Sequence, residues 1–495
     1  MGSRHAPPRA SSMIETLRGL GYTTATALAD IIDNSISAGA KTVSISFSFK
    51  GTSSTITVLD DGKGMSPEEL DRAMRLGEIN PLDERAWNDL GRFGIGLKTA
   101  SFSQCRRLTV TTKKQGHSSC LRWDLDLLAA SPGDGWFLLE GPAEESEELL
   151  LPIAAEDHGT LVLWELLDRI VTPGYSEQDF LDLIDRVERH LAMVFHRYLE
   201  PQPSQLKIII NGRAIAPWNP FLISNSATWS SPIESLAGGI VVQSHVLPHR
   251  DRLGQKEYDN AAGPDGWTAQ QGFYVYRNRR LLVAGNWLGL GQGRSWTKEE
   301  AHRLVRIRLD IPNSADADWK IDIRKSVARP PVNVRERLVR LADDARQRAR
   351  RVFAHRGKVV RPWGADPIIQ AWRVERSKGG MRYRIDEQHP AVMAVLDETT
   401  PTVSQVRTML RILEETIPVQ RIWLDTTEAK EVPLNGFSGE PPAEVMEVLK
   451  VMYRNMIKKK GLTSESARDQ LLRTEPFHNY PYLVAALSDE MIDEE

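Results

Sequence analysis

The stretch Ala27-Leu-Ala-Asp-Ile-Ile-Asp-Asn-Ser-Ile-Ser-Ala-Gly-Ala40 frames everything that follows in this chain. Wound as a helix, it puts Leu28, Ile31, Ile32 and Ile36 on one face, while Asp30, Asn34 and Ser37 share another. A carboxylate and a carboxamide one helical turn apart on a polar face can hold a hydrated divalent cation and an attacking water together. Asp33 is the nearest other carboxylate, but its place one residue before Asn34 points it elsewhere. An ordinary amphipathic helix would show the same pattern, and the neighbouring segments separate the two.

The run Lys41-Thr-Val-Ser-Ile-Ser-Phe-Ser-Phe49 alternates Val43, Ile45, Phe47 and Phe49 as a half-buried strand does. A second alternating run, Thr55–Leu59, delivers the chain into Asp60-Asp-Gly-Lys-Gly-Met65. A carboxylate at a strand end can accept a hydrogen bond from an exocyclic amine, while two residues without Cβ let bare backbone pack against a flat ring. Gly91-Arg-Phe-Gly-Ile-Gly-Leu-Lys98 then leads into a helix predicted from Leu97 to Gln104. Backbone amides at a helix start, with Lys98 nearby, suit phosphates. His158-Gly-Thr-Leu-Val-Leu-Trp164 adds a Gly-Thr pair entering one more alternating strand.

These four segments, in this order, resemble the GHKL ATPase superfamily, which includes gyrase B, the ninety-kilodalton chaperone, histidine kinases and MutL. The resemblance implies an α+β fold: a Bergerat two-layer α/β sandwich that binds ATP and Mg²⁺. By it, Asn34 coordinates Mg²⁺, Asp60 reads the adenine amine, and Gly62 and Gly64, followed by Met65, line the base pocket. Gly91, Gly94 and Gly96, with Leu97 and Lys98 after them, belong to the ATP lid, whose flexible part runs over residues 76–90. Thr160 supports the water network at adenine. In MutL-type and chaperone-type members a glutamate stands where this chain has Asp30. The shorter aspartate would act as general base through a longer or water-bridged contact, so slow turnover is implied.

Two other nucleotide readings fail. A P-loop requires G-x-x-x-x-G-K-[ST], and Leu97 interrupts it; Gly289–Gly293 does not make a dinucleotide fingerprint. A histidine kinase would carry a phospho-acceptor histidine in a helical hairpin, and none precedes Ala27.

At 495 residues the chain has room for two to four domains. Its 41% apolar content and net charge of −3 are those of a water-soluble globular protein, so any nucleic-acid contact must come from local basic patches. No run approaches the roughly 20 apolar residues of a membrane span, and no signal-peptide core is present, so a cytoplasmic location is expected. Cys105 and Cys120 form neither a metal spacing nor a disulfide framework.

The organisation expected is a disordered arm over 1–12, the ATP-binding domain over 13–221 and a second domain over 222–356. A C-terminal module over 357–487 and an acidic tail over 488–495 follow. A long helix from Ser176 to Leu199 carries His190 and His196 as core or surface residues, and strands flank an Asn211-Gly212 turn. Strands over 239–247, 271–283 and 303–311, then a helix from Val332 to Phe353, resemble the ribosomal-protein-like transducer domain of the MutL and MORC branch. In that branch a transducer lysine reaches the γ-phosphate. Alternation through Asp318–Ser326 predicts a strand with Lys320 on its polar face and Lys325 in the loop beyond, which favours Lys325. The helix carries Val334, Leu338, Leu341, Ala345 and Val352 as a stripe, and its Arg-rich faces, continued by His355, Arg356, Lys358 and Arg361, offer a DNA phosphate contact over 333–361.

In the C-terminal module a hairpin across Ser377–Gly380 and helices over 403–415 and 442–460 are expected, with Trp423 in a short strand, serving dimerisation or partner docking. The resemblance implies a homodimeric clamp closed by ATP and acting on DNA, with a nuclease or helicase partner, in prokaryotic antiphage defence. A clamp on protein clients and a non-hydrolysing nucleotide sensor remain open alternatives.

Overall fold

The computed structural model describes residues 8–78, 96–130, 136–201, 206–315, 318–322, 325, 327–354, 372–377, 380–389, 393, 406–407, 410, 414 and 443–489. The chain divides into two compact units, 1–358 and 359–495.

The first unit contains two sheets. The larger is built from β1 (Thr42–Ser48), β2 (Thr55–Asp60), β3 (Arg107–Lys114), β4 (His117–Asp124), β5 (Leu139–Glu140), β6 (Gly159–Glu165), β7 (Lys207–Ile210) and β8 (Arg213–Ala214). They lie in the order β5-β4-β3-β6-β2-β1-β7-β8. Neighbours are antiparallel except β1 and β7, which run parallel. Val43, Ile45 and Phe47 of β1 are buried as their alternation predicts. The turn after β7 uses Asn211 and Gly212, both at positive φ, as an Asn-Gly hairpin requires.

Helices α1 (Ala10–Arg18), α2 (Thr24–Ser37), α3 (Pro67–Met74) and α4 (Gly96–Phe102), with the helix Glu177–Val194, accompany this sheet. Ile14, Leu28, Ile32, Phe102, Val187 and Leu191 meet Ile45, Val58, Val110 and Trp164 in one core. Thr23 starts α2 with a reciprocal capping box to Thr26. Residues 10–12, expected to belong to a disordered arm, are helical. Helix α1 begins at Ala10, because Ile14 fills the core and the buried Arg18 donates to Phe102 O at 2.8 Å and pairs with Asp168.

The second sheet comprises β9 (Trp229–Ser230), β10 (Glu234–Leu236), β11 (Ile240–Val246), β12 (Gly272–Arg277), β13 (Arg280–Asn286) and β14 (Val305–Ile311). Its path is β10-β11-β14-β12-β13, with β9 beside β11 and with β12 and β14 parallel. The apolar run over 271–283 is two strands, not one. Asn278 and Arg279, at φ +45° and +70°, turn the chain back, and this hairpin presents Arg280 at the start of β13. The helix Val332–Ala354 covers one face through Val334, Leu338, Ala342, Ala345 and Ala349.

The opposite face joins the two sheets. Tyr274, Tyr276 and Leu281 pack with Phe221 and with Met193 of the helix Glu177–Val194. Just beyond that helix, His196 Nε2 lies 2.8 Å from the Tyr276 hydroxyl, and the Arg197 guanidinium sits 3.5 Å above the Tyr276 ring while pairing with Asp310. Burial pushes the imidazole of His196 below its ordinary range, so it serves as a neutral core group.

The strand expected from Asp318 is not formed by the described residues there. Among the described residues of 318–326, Asp318–Lys320 form a turn, and Lys320 and Lys325 adopt φ of +48° and +54°. Neither angle fits a strand. The alternation is the burial pattern of a loop, for Trp319 and Ile321 are buried and Lys320 is exposed.

In the second unit, β15 (Trp372–Ser377) and β16 (Gly380–Ile385) form the expected hairpin. Helices Ala443–Lys458, Ser464–Leu472 and Pro481–Ala485 enclose Leu449, Met452, Tyr453, Leu471 and Phe477. Most of the helix expected over 403–415, all of the strand at Trp423 and the tail from 490 lie outside the described residues.

Candidate nucleotide-binding site

Helix α2 brings four polar side chains to one end of the larger sheet. Asp30 is only 4% exposed. Its Oδ2 accepts the Tyr22 hydroxyl at 2.9 Å, and its Oδ1 accepts from Lys325 Nζ at 3.0 Å. Asp33, one helical turn on, is 1% exposed. Its Oδ2 accepts from Lys325 Nζ at 2.5 Å, while Arg280 Nε lies 3.2 and 3.1 Å from its two oxygens. Arg280 reaches no closer than 3.9 Å to Asp30. Burial pushes the Asp33 carboxyl up, but Arg280 and Lys325 outweigh burial and hold it below the usual carboxylate range. Desolvation and the neighbouring Asp30 push the Tyr22 phenol well above its ordinary value, so it stays a donor.

Asn34 takes a different environment. It is exposed, and its carboxamide has no hydrogen-bond partner among the described residues. Ser35, on the buried side, donates to Asp60 Oδ2 at 2.7 Å.

Asp60 ends β2 and is 6% exposed. The Gly62 amide donates to its Oδ1 at 2.9 Å. Burial raises the Asp60 carboxyl above its ordinary value against these donors. The glycines around it are required by space. A Cβ on Gly62 would lie 2.8 Å from Asp60 Oδ1, and one on Gly64, at φ +63°, would lie 2.1 Å from Lys113 O. Thr160 on β6 faces Asp60 across the ladder, and its hydroxyl is 3.3 Å from that of Thr112, which also accepts the Met65 amide at 2.9 Å.

The start of α4 also approaches the carboxylates: a Cβ on Gly96 would sit 3.8 Å from Asp30 Oδ2. Leu97 is half-buried against the core. Lys98 goes elsewhere. It is 2% exposed and donates to the carbonyls of Ala73 and Arg75, each at 2.8 Å, at the C-terminal end of α3. Desolvation lowers its ammonium to about 8. Gly91, Gly94 and the lid over 79–90 lie outside the described residues. Of the two candidate lysines, Lys325 meets Asp30 and Lys320 is exposed away from it.

Three features of the site are not evident from the sequence: Tyr22, Arg280 and the partnership of Asp33. The i, i+3 spacing of Asp30 and Asp33 is a visible signal that both carboxylates share one stretch of helix surface. Arg280 gives no such sign in an Arg-rich hairpin.

Among the described residues no cluster of three acidic, histidine or cysteine side chains could hold a metal alone. A hard cation such as Mg²⁺ takes few protein ligands when phosphates and waters complete its octahedron. The solvent-facing Asn34 carboxamide, a neutral oxygen donor beside the carboxylates, fits that demand.

Residues 22–160 match the family described as histidine kinase-, DNA gyrase B- and HSP90-like ATPase. ATPase morc-1 of Caenorhabditis elegans is 33% identical over 90 residues, 18% of this chain and 10% of that protein. DNA mismatch repair protein MutL of Rhodospirillum rubrum is 30% identical over 183 residues, 36% of this chain and 25% of that protein. Chaperone protein HtpG of Chromobacterium violaceum is 27% identical over 136 residues, 25% of this chain and 20% of that protein. The matches thus span a quarter or less of these relatives. With Asp60, Gly62 and Gly64 at the end of β2, and Asp30 and Asn34 on α2, residues 22–160 form a GHKL-type ATPase domain similar to those of MutL and morc-1.

Proposed function

We propose that this chain binds ATP with Mg²⁺ between α2 and the end of β2 and hydrolyses it slowly. Asp60 accepts the adenine amine, Asn34 supplies an oxygen to the cation, and Asp30 is the general base. Lys325 meets the γ-phosphate from the second sheet. The observation that supports this best is the contact of Lys325 Nζ with Asp30, 295 residues apart in sequence, which couples the second sheet to the base. A group bridging the two parts of the unit at the reacting end of the site is what an ATP-dependent clamp requires.

Closure of two copies around DNA is the fuller form of this proposal. The helix Val332–Ala354 supports it by exposing Arg335, Arg337, Arg340, Arg348, Arg350 and Arg351, a spacing suited to phosphates. The DNA mismatch repair relative MutL favours DNA, and the chaperone relative HtpG favours a protein client. A role beside a nuclease or helicase in prokaryotic antiphage defence rests on resemblance alone.

Asp30→Asn tests the central assignment. Hydrolysis should fall by about 10²-fold, the scale for losing a general base, while nucleotide binding persists. Undiminished turnover removes Asp30 from the role. Stimulation of turnover by DNA and not by unfolded protein separates the two clients.

A further inference from the structure

Two buried carboxylates and two cations meet where the sheets of the first unit join, and the cations are not equivalent. Arg280 holds both oxygens of Asp33 through one nitrogen and stays 3.9 Å from Asp30. Lys325 divides its ammonium between the two, at 2.5 Å from Asp33 and 3.0 Å from Asp30. An ammonium so placed neutralises the carboxylate proposed to take a proton from water.

Lys325 is presented to the two carboxylates by a constrained backbone. Lys325 sits at φ +54°, a left-handed conformation that a lysine adopts only when its surroundings hold it there. Its amide donates to Asp322 O at 3.0 Å, and the Val327 amide to Asp322 Oδ1 at 2.9 Å, closing a tight turn. Buried Trp319 and Ala328 anchor either side, and the Arg329 amide donates to Trp319 O at 2.7 Å.

We propose that Asp33 is a resting seat for the Lys325 ammonium, and that Arg280 is the positioning residue that lets this lysine depart for a γ-phosphate. When Lys325 leaves, Arg280 keeps Asp33 paired, so no uncompensated carboxylate is stranded there. Asp30 keeps the Tyr22 hydroxyl as its partner and is freed of the ammonium. This inference rests on the proposed function, because it needs a nucleoside triphosphate bound at Asp30, Asn34 and Asp60.

The test is equilibrium binding of ADP and of the non-hydrolysable triphosphate AMP-PNP, with Mg²⁺, to the full chain. The seat competes with the γ-phosphate and ignores ADP. Asp33→Asn, which keeps the shape and removes the charge, should raise triphosphate affinity relative to ADP by about tenfold, the scale of one hydrogen bond to a charged group. Arg280→Met should move the ratio the opposite way, because Asp33 then holds Lys325 alone; Arg280→Lys should restore most of it. In a Lys325→Ala background, Asp33→Asn should leave the ratio unchanged. Should Arg280→Met fail to fold, judged by its melting curve, Asp33→Asn with and without Lys325→Ala still decides. Equal shifts for both nucleotides in Asp33→Asn would reduce Asp33 to a structural anchor and overturn the inference. A wild-type chain that binds neither nucleotide would instead overturn the proposed function.

Discussion

Ser35 donates its hydroxyl to Asp60 Oδ2 at 2.7 Å, and through this contact α2 holds the carboxylate at the end of β2. The same helix therefore carries the proposed base and orients the proposed adenine acceptor. Ser35→Ala removes one donor from an oxygen that burial already disfavours as an anion. Nucleotide affinity should fall about tenfold, the usual scale for a hydrogen bond to a charged group. The raised Asp60 carboxyl should rise further, so affinity in Ser35→Ala should begin to decline at a higher pH than in wild type. Titration calorimetry with ADP across the acidic range checks both, and a coincident pH profile would contradict the coupling.

Asn34 faces solvent on the polar side of α2. Asn34→Ala should leave the melting temperature within about 2 °C of wild type, because an exposed side chain without structural partners contributes little to stability. It should also remove the Mg²⁺-dependent part of nucleotide affinity. Binding measured with Mg²⁺ and with excess chelator gives the comparison, and a variant whose affinity still rises with Mg²⁺ would clear Asn34 of that duty.

Lys98 yields a prediction with a definite sign. Its ammonium, lowered by desolvation from 10.5 to about 8, is disfavoured in the folded chain. Between those values the unfolded chain binds more protons than the folded one, so stability rises with pH. Relative to Lys98→Met, wild type should gain about 2 kcal/mol of unfolding free energy from pH 7.5 to 9.5, since one proton bound only by the unfolded chain changes stability by about 1.4 kcal/mol for each tenfold fall in proton activity. Urea unfolding of both proteins over that range measures it. A constant difference would mean that the lysine ionises as it does in water.

Local periodicity makes much of this architecture legible. The faces of α2 and the alternation of β1 can be read because each is a property of consecutive residues. The order of the glycine segments leads to Asp60, Gly62 and Gly64, where a side chain would strike backbone or carboxylate atoms within 3 Å. The strand expected at Asp318–Ser326 shows the limit. Trp319 and Ile321 alternate with Lys320 in burial, yet Asp318–Lys320 form a turn with Lys320 at positive φ, and burial alternation alone does not report backbone angles. Asp33 is hard to read for a different reason. What gives it meaning is Arg280, 247 residues away, and Lys325, 292 residues away. The packing of Tyr274 and Tyr276 against Phe221 and Met193, with Arg197 pairing Asp310, brings them to it.

Asp30, Asn34 and Ser35 stand within five steps on one helix, so their separation is set by the helical rise, about 1.5 Å per residue, and not by any loop. A helix of this kind works as a ruler that cannot be recalibrated gradually. A single residue inserted between Asp30 and Ser35 would rotate one relative to the other by about 100° and carry one of them off its partner. Substitutions along α2 can therefore tune the site, whereas changes of length there have no intermediate that keeps both ends of it.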